Sequence, residues 1–453
     1  MEDKNPEALG QKLYDFAAEL YPICRSITGN GVRETLARIA ERIPLQISEV
    51  PTGTTVFDWT IPKEWNIRDA YIKDAEGRRV VDFQRSNLHV MNYSVPMRRK
   101  MPLAELRAHL FTIPEYPNWI PYRTSYYKEN WGFCLSHNEL ARLQDGEYEV
   151  CIDSTLENGQ LTYGECYLRG QSEEEVLISC HICHPSLAND NLSGIAVATA
   201  LAAQLSGQSR FYSYRFLFIP GTIGAITWLA RNSSAVMRVR HGLVLTGLGD
   251  RGEFHYKKSR RGDTEIDRVM AHVLRHSSET YGMLDFSPYG YDERQYCSPG
   301  LNLPVGCLMR SVWGTFPEYH TSADNLDFIY PIQLAKSLRL CAEAVEVLEG
   351  NLRYRNLYPF CEPQLGKRDL YRSMGGENPS YEINARLWVL NLSDGSYSLL
   401  DIAERSGILF SEIQSAAELL ASSGLLQPLP RDASLSEENR SDEVTLPKLA
   451  VNQ

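Results

Sequence analysis

No apolar run in this 453-residue chain approaches the roughly 18–20 residues needed to span a bilayer. The opening residues, Met1-Glu2-Asp3-Lys4-Asn5-Pro6, lack the basic-then-apolar order of a secretory signal. A cytoplasmic protein with no membrane partner is therefore expected. Excess basic charge is missing too. Against 57 Asp and Glu there are only 46 Lys and Arg, and the net charge of −11 argues against broad nucleic-acid binding by the whole chain. The ten cysteines are scattered, so reduced thiols are expected rather than disulfides. Cys180 and Cys183 form one CxxC, but no second CxxC completes a four-cysteine zinc site.

What is present is the composition of a globular protein, 43% apolar and 23% charged, long enough for two to four domains. The first 45 residues carry helical spacing: Leu13, Phe16, Ala17 and Leu20, then Val32, Leu36, Ile39 and Ile43 after a Thr28-Gly29-Asn30-Gly31 break. Residues 50–168 change texture, with short β-rich segments punctuated by prolines, and read as an inserted β-rich domain. Within it the aromatic stretch Ile120 to Cys134 fills a small core or lines a substrate cleft, with Tyr126 as the candidate contact. From Glu175 the apolar runs Val176 to Cys180, Tyr214 to Ile219 and Gly242 to Leu245 alternate with helix-length segments. That rhythm predicts an α/β fold, a mostly parallel sheet with helices on both faces. Residues 355–430 outline a winged helix, with helices over Tyr397 to Ser406 and Leu409 to Ser423. The polar, acidic residues 431–453 read as a disordered tail.

Ligands in such sheets gather at the carboxyl ends of the strands. His181-Ile182-Cys183-His184-Pro185 follows the first of those runs, and Asn189-Asp190-Asn191-Leu192-Ser193-Gly194 opens the next helix. Imidazoles at a strand end with a carboxylate at a helix start suit zinc, because rigid elements hold the ligands around one point. Glu318-Tyr319-His320-Thr321-Ser322-Ala323-Asp324 supplies a third such group. His181, Asp190 and His320 are the candidate metal ligands. Asp190 could instead merely cap its helix. Pro185 suggests a turn that directs His184 elsewhere. Glu318, two positions before His320 on an extended segment, faces the same side and is a candidate base.

These motifs resemble those of zinc aminopeptidases of the bacterial leucyl aminopeptidase type. The whole chain resembles an aminopeptidase-like bacterial family with an inserted β domain and a C-terminal winged helix, found near polysaccharide and natural-product biosynthesis genes. The resemblance implies a core of residues 1–49 and 169–354, interrupted by the insertion. It implies His181, Asp190 and His320 as zinc ligands and Asp250 as a further, loosely matched carboxylate. Asp292-Glu293 resembles an Asp-His pair, making Glu293 a second candidate base, and Cys183 stands where an aspartate orients the histidine.

One departure matters most. At Ile219-Pro220-Gly221-Thr222 the resembling enzymes carry two glutamates, a general base and a zinc ligand; here they are Gly221 and Thr222. One zinc is therefore expected rather than two, and ordinary peptide hydrolysis is in question. The segment Arg251 to Arg261 reads as a solvated basic loop or, through Arg260 and Arg261, as an anion clamp for substrate. The leading expectation is a zinc-dependent, aminopeptidase-like hydrolase of a small amide or peptide-like substrate. A catalytically silent amide-binding relative is the second, and a winged-helix regulator the third. The second helix of that module, Leu409 to Ser423, has no Lys or Arg, so no DNA partner is expected. A homo-oligomer is.

Overall fold

The computed structural model describes residues 5–370 and 381–431. The tail expected to be disordered lies, apart from Arg431, outside the described residues. Two compact units divide the chain, Met1–Ala344 and Val345–Gln453.

In the first unit the early helical spacing produces helices Pro6–Leu20 and Asn30–Ala40. Asn5 caps the first through the Glu7 N–H, and Pro6 stands where a missing N–H costs nothing. Gly29, at φ 97°, separates them, and a Cβ there would collide with the Trp65 carbonyl.

The core is an eight-stranded mixed sheet. Its spatial order is Gln46–Pro51, Gln160–Leu168, Ser213–Ile219, Glu175–His181, Val239–Leu245, Val305–Met309, Phe254–Lys257 and Tyr281–Leu284. The four middle strands run parallel, with antiparallel pairs flanking them. Every residue of Glu175–His181 and Ser213–Ile219 is buried, as a parallel sheet packed on both faces requires. Among the described residues no helix is long and apolar enough to cross a membrane.

A separate antiparallel sheet, in the order Arg79–Asp82, Glu64–Lys73, Glu147–Glu157 and Met97–Pro102, forms between core strands. It has its own apolar cluster around Ala70, Ile72, Phe133, Val150 and Ile152. Gln160–Leu168, read from sequence as the end of the β-rich stretch, instead pairs with Gln46–Pro51 and Ser213–Ile219 in the large sheet. Apolar content marks a strand but not which sheet it joins. The segment Arg251 to Arg261 is not simply a solvated loop: Phe254–Lys257 is a core strand with Phe254, Tyr256 and Lys257 buried.

The second unit carries a three-stranded antiparallel sheet ordered Asp394–Ser398, Arg353–Asn356, Leu426–Pro428, with helices Tyr381–Leu392, Leu399–Ser406 and Phe410–Ser422. This is a winged helix. Ser398 and Asp401 close a capping box, and Gly407 at φ 70° ends that helix. The helix Tyr381–Leu392 is an element the sequence reading did not anticipate.

Candidate metal centre

His181 is the last residue of strand Glu175–His181, and Asp190 sits in the turn Ala188–Ser193 that feeds helix Gly194–Leu205. The two side chains meet, His181 Nε2 lying 2.8 Å from Asp190 Oδ1. From the far side His320 Nε2 comes within 3.0 Å of Asp190 Oδ2. His184 Nδ1 stands 3.8 Å from Asp190 Oδ1. The donor atoms of His181, His184 and Asp190 all lie within 4.8 Å of one another.

Each group is held from behind. Asp324 accepts the backbone N–H groups of Asn189 (2.6 Å) and Asp190 (3.0 Å), fixing the turn. Asn191 Nδ2 lies 3.3 Å from His181 Nδ1 and donates to the Leu245 carbonyl at 3.1 Å. His320 has φ 57°, a left-handed conformation unusual outside glycine that tertiary contacts must impose. Those contacts come from the aromatic stretch of the insertion: Tyr122 N–H donates to the His320 carbonyl, and Ser322 N–H to that of Ile120, both at 2.8 Å. Rings close the shell. Tyr291 stacks on His181, Tyr319 on His320, and Tyr122 meets His184 and His320 edge-on. The resulting cleft encloses about 650 Å³ including its mouth.

The electrostatics match a cation site. Burial alone would raise the Asp190 carboxyl, but the His184 and His181 imidazoles, with hydrogen bonds from His181 and His320, hold it well below the usual range. Burial drives His184 down to about 3, so its ring is neutral and able to ligate. His184 Nδ1 is sealed from solvent without a hydrogen-bond partner. Such an orphaned polar atom costs about 1–3 kcal/mol, a cost that a metal ion would remove. Two or three imidazoles and a carboxylate are an ordinary zinc donor set, so the residues present fit the ion.

Residues 14–351 match the family model described as a domain of unknown function, DUF4910. The chain belongs to this family. Residues 352–428 match a winged helix-turn-helix model. A Clostridium acetobutylicum protein, provisionally named as a polysaccharide biosynthesis protein with aminopeptidase-like domain, is 53% identical over 418 residues, 92% of this chain and 96% of that protein. The crystal structure of a provisionally named peptidase from the same species superposes with a TM-score of 0.90 at 52% identity, covering 94% of this chain and 98% of that one. A zinc aminopeptidase from Bacillus subtilis superposes with a TM-score of 0.54 at 14% identity, over 75% of this chain and 95% of that one. The DUF4910 region therefore has an aminopeptidase-like fold.

Within that region the residues singled out from sequence separate into two sets. His181, Asp190 and His320 converge, and Tyr126 lines the same cleft with its hydroxyl 2.9 Å from that of Tyr122. His184, which Pro185 was expected to turn away, joins them. Buried Arg25 donates from Nε to the His184 carbonyl at 2.8 Å, and Ser186 at φ 42° turns the loop back. Asp250 lies outside the cluster, engaged by Asn189 Nδ2 at 2.7 Å and Ser311 Oγ at 2.8 Å. Glu293 is wholly buried and ion-paired to Lys257 at 2.7 Å, and it is not among the residues that line the cleft. Glu318 is half-buried and does not line the cleft. Arg260 and Arg261 are exposed and also outside it, Arg260 donating to Asn302 Oδ1 at 3.2 Å.

Two residues were missed by one or two positions. Asp292, not Glu293, lines the cleft, and its Oδ2 lies 3.5 Å from where a Cβ at Gly221 would stand. Burial, reinforced by the Glu293 charge and opposed by His181 and Arg294, pushes its carboxyl up to about 7. Arg294 lines the cleft beside Thr222. Direction on so short a helix, Glu293–Tyr296, is set by packing and leaves no sequence pattern. The CxxC is a pair of buried thiols; burial drives Cys183 up to about 12, which excludes a resting thiolate.

Proposed function

We propose that the cleft holds one zinc ion and processes an amide or peptide-like small molecule, in a biosynthetic setting of the kind the Clostridium relative's name describes. The observation that carries this reading is the convergence of His181, His184 and Asp190 around a buried His184 Nδ1 that has no partner. His320 approaches the other Asp190 oxygen and completes the donor set. Zinc held there supplies Lewis acidity toward an amide carbonyl. One ion suits the residues better than two, because Thr222 offers no carboxylate and Asp250 is engaged elsewhere. Asp292 is the carboxylate placed to hold or release a proton, since it borders the space that Gly221 leaves open. Tyr291, Tyr319 and Trp313 wall the cleft and restrict water.

Without the glutamate pair the zinc-loaded protein should be a poor general aminopeptidase. Loss of a positioned base commonly costs ~10²–10⁴-fold. Hydrolysis of leucine p-nitroanilide tests this: slow turnover is expected, and turnover at the rate of an efficient aminopeptidase overturns the specialist reading. The same Gly221 supports a second reading, zinc-dependent amide binding without hydrolysis. Any amide turnover that zinc removal and Asp292→Asn both abolish decides for the enzyme. For the winged helix the partner we favour is protein. Helix Phe410–Ser422 has no Lys or Arg to meet phosphates, and tight, steeply salt-dependent duplex binding would refute this.

A further inference from the structure

One charged side chain of the cleft makes no ion pair. Among its lining residues Arg294 is the one arginine or lysine, on helix Glu293–Tyr296. Its side-chain hydrogen bond is a long one, Nη2 to Thr222 Oγ1 at 3.3 Å. Nε is enclosed with no acceptor. No carboxylate among the described residues lies within ion-pair distance of it. Asp292 is near enough for the Arg294 charge to be felt but does not pair with it. A half-buried guanidinium without a counter-ion is costly, and a fork of N–H donors recruits an acceptor from whatever occupies the cleft.

The neighbours of Arg294 are mostly uncharged. Thr222 and Gly221, neither of them acidic, border the same space, and Asp292 is the one acidic side chain that lines the cleft with them. Thr222 opens helix Ile223–Arg231 with no cap hydrogen bond from its side chain, which places the helix's positive end at this wall. The wall also abuts the histidine cluster: a Cβ at Gly221 would stand 3.2 Å from His181 Cβ. Arg294 and the histidine cluster therefore line one and the same cleft.

We propose that Arg294, with Thr222, is the specificity-determining subsite for a carboxylate on the substrate, so that the protein takes amides bearing an acidic group a short spacer away. This rests on the proposed metal centre for the amide end, but the carboxylate end stands on Arg294 alone. In that subsite the Arg294 guanidinium donates to the carboxylate, with Thr222 Oγ1 beside it.

The test uses the full-length chain and calorimetry. The probes are succinic monohydroxamate and its neutral counterpart, the succinamide hydroxamate, on zinc-loaded protein, with succinate on zinc-free protein as a third. The carboxylate probe should bind ~10–100-fold more tightly than the neutral one, the range of a charge-assisted pair. Arg294→Gln should erase that preference without weakening the neutral probe, and Arg294→Lys should restore part of it. Melting curves confirm that both variants fold. Equal affinity of the two probes in the parent, or a preference that survives Arg294→Gln, overturns the subsite. If neither hydroxamate binds but succinate does, and Arg294→Gln abolishes it, the metal reading fails while the subsite stands. If succinate is also ignored, the subsite falls with it.

Discussion

Replacing Glu293 with Gln separates a structural carboxylate from a catalytic one. Glu293 and Lys257 are 0% and 1% exposed and 2.7 Å apart. The Lys257 ammonium also donates to the Tyr289 carbonyl at 2.7 Å and faces the Trp313 ring. Glu293 Oε2 has no partner. Removing one charge strands the other in an apolar interior, at a cost of about 3–5 kcal/mol. The unit that contains the pair spans Met1–Ala344. At about 2.1 cal/mol/K of unfolding entropy per residue, that loss lowers its Tm by about 4–7 °C. The double variant Lys257→Met, Glu293→Gln removes both charges and should recover most of the loss. Differential scanning calorimetry reads all three. If Glu293→Gln melts like the parent yet loses zinc retention or turnover, Glu293 belongs to the site and the placement argued above is wrong.

Asp324→Asn presents an amide N–H₂ to one of the two backbone N–H groups that the carboxylate now accepts. Chelator competition should show zinc affinity reduced ~10–100-fold, the usual effect of disturbing what orients a ligand; unchanged affinity would free the Asp190 turn from Asp324. His272, lowered by burial to about 4 from the ordinary 6.5, takes its proton more readily in the unfolded chain. Its contribution to stability is full above about pH 6.5 and is lost as pH falls toward 4. Subtracting the Tm–pH profile of His272→Gln from that of the parent isolates this limb, and a flat difference would contradict it.

Strand ends and the candidate ligands on them were legible because buried parallel strands are unbroken apolar runs, and His181 follows one directly. Asp190 and His320 were legible through residue type and local context. His184 was misread because Pro185 is a local signal, while Arg25, distant in sequence, decides where the loop points. Glu293 was preferred to Asp292 because nothing local says which of two adjacent acids on a short helix faces inward; Lys257, on a strand read as a basic loop, captures the wrong one. Asp250 lies just beyond a strand end, as a ligand would, but Asn189 and Ser311 had already claimed it.

The account rests on a metal held by His181, His184 and Asp190. Protein loaded with zinc, freed of excess ion by desalting and analysed by mass spectrometry should retain one zinc per chain. His184→Ala and Asp190→Asn should retain almost none while melting as folded proteins. A parent that keeps no zinc, or a folded Asp190→Asn variant that keeps as much as the parent, would contradict it.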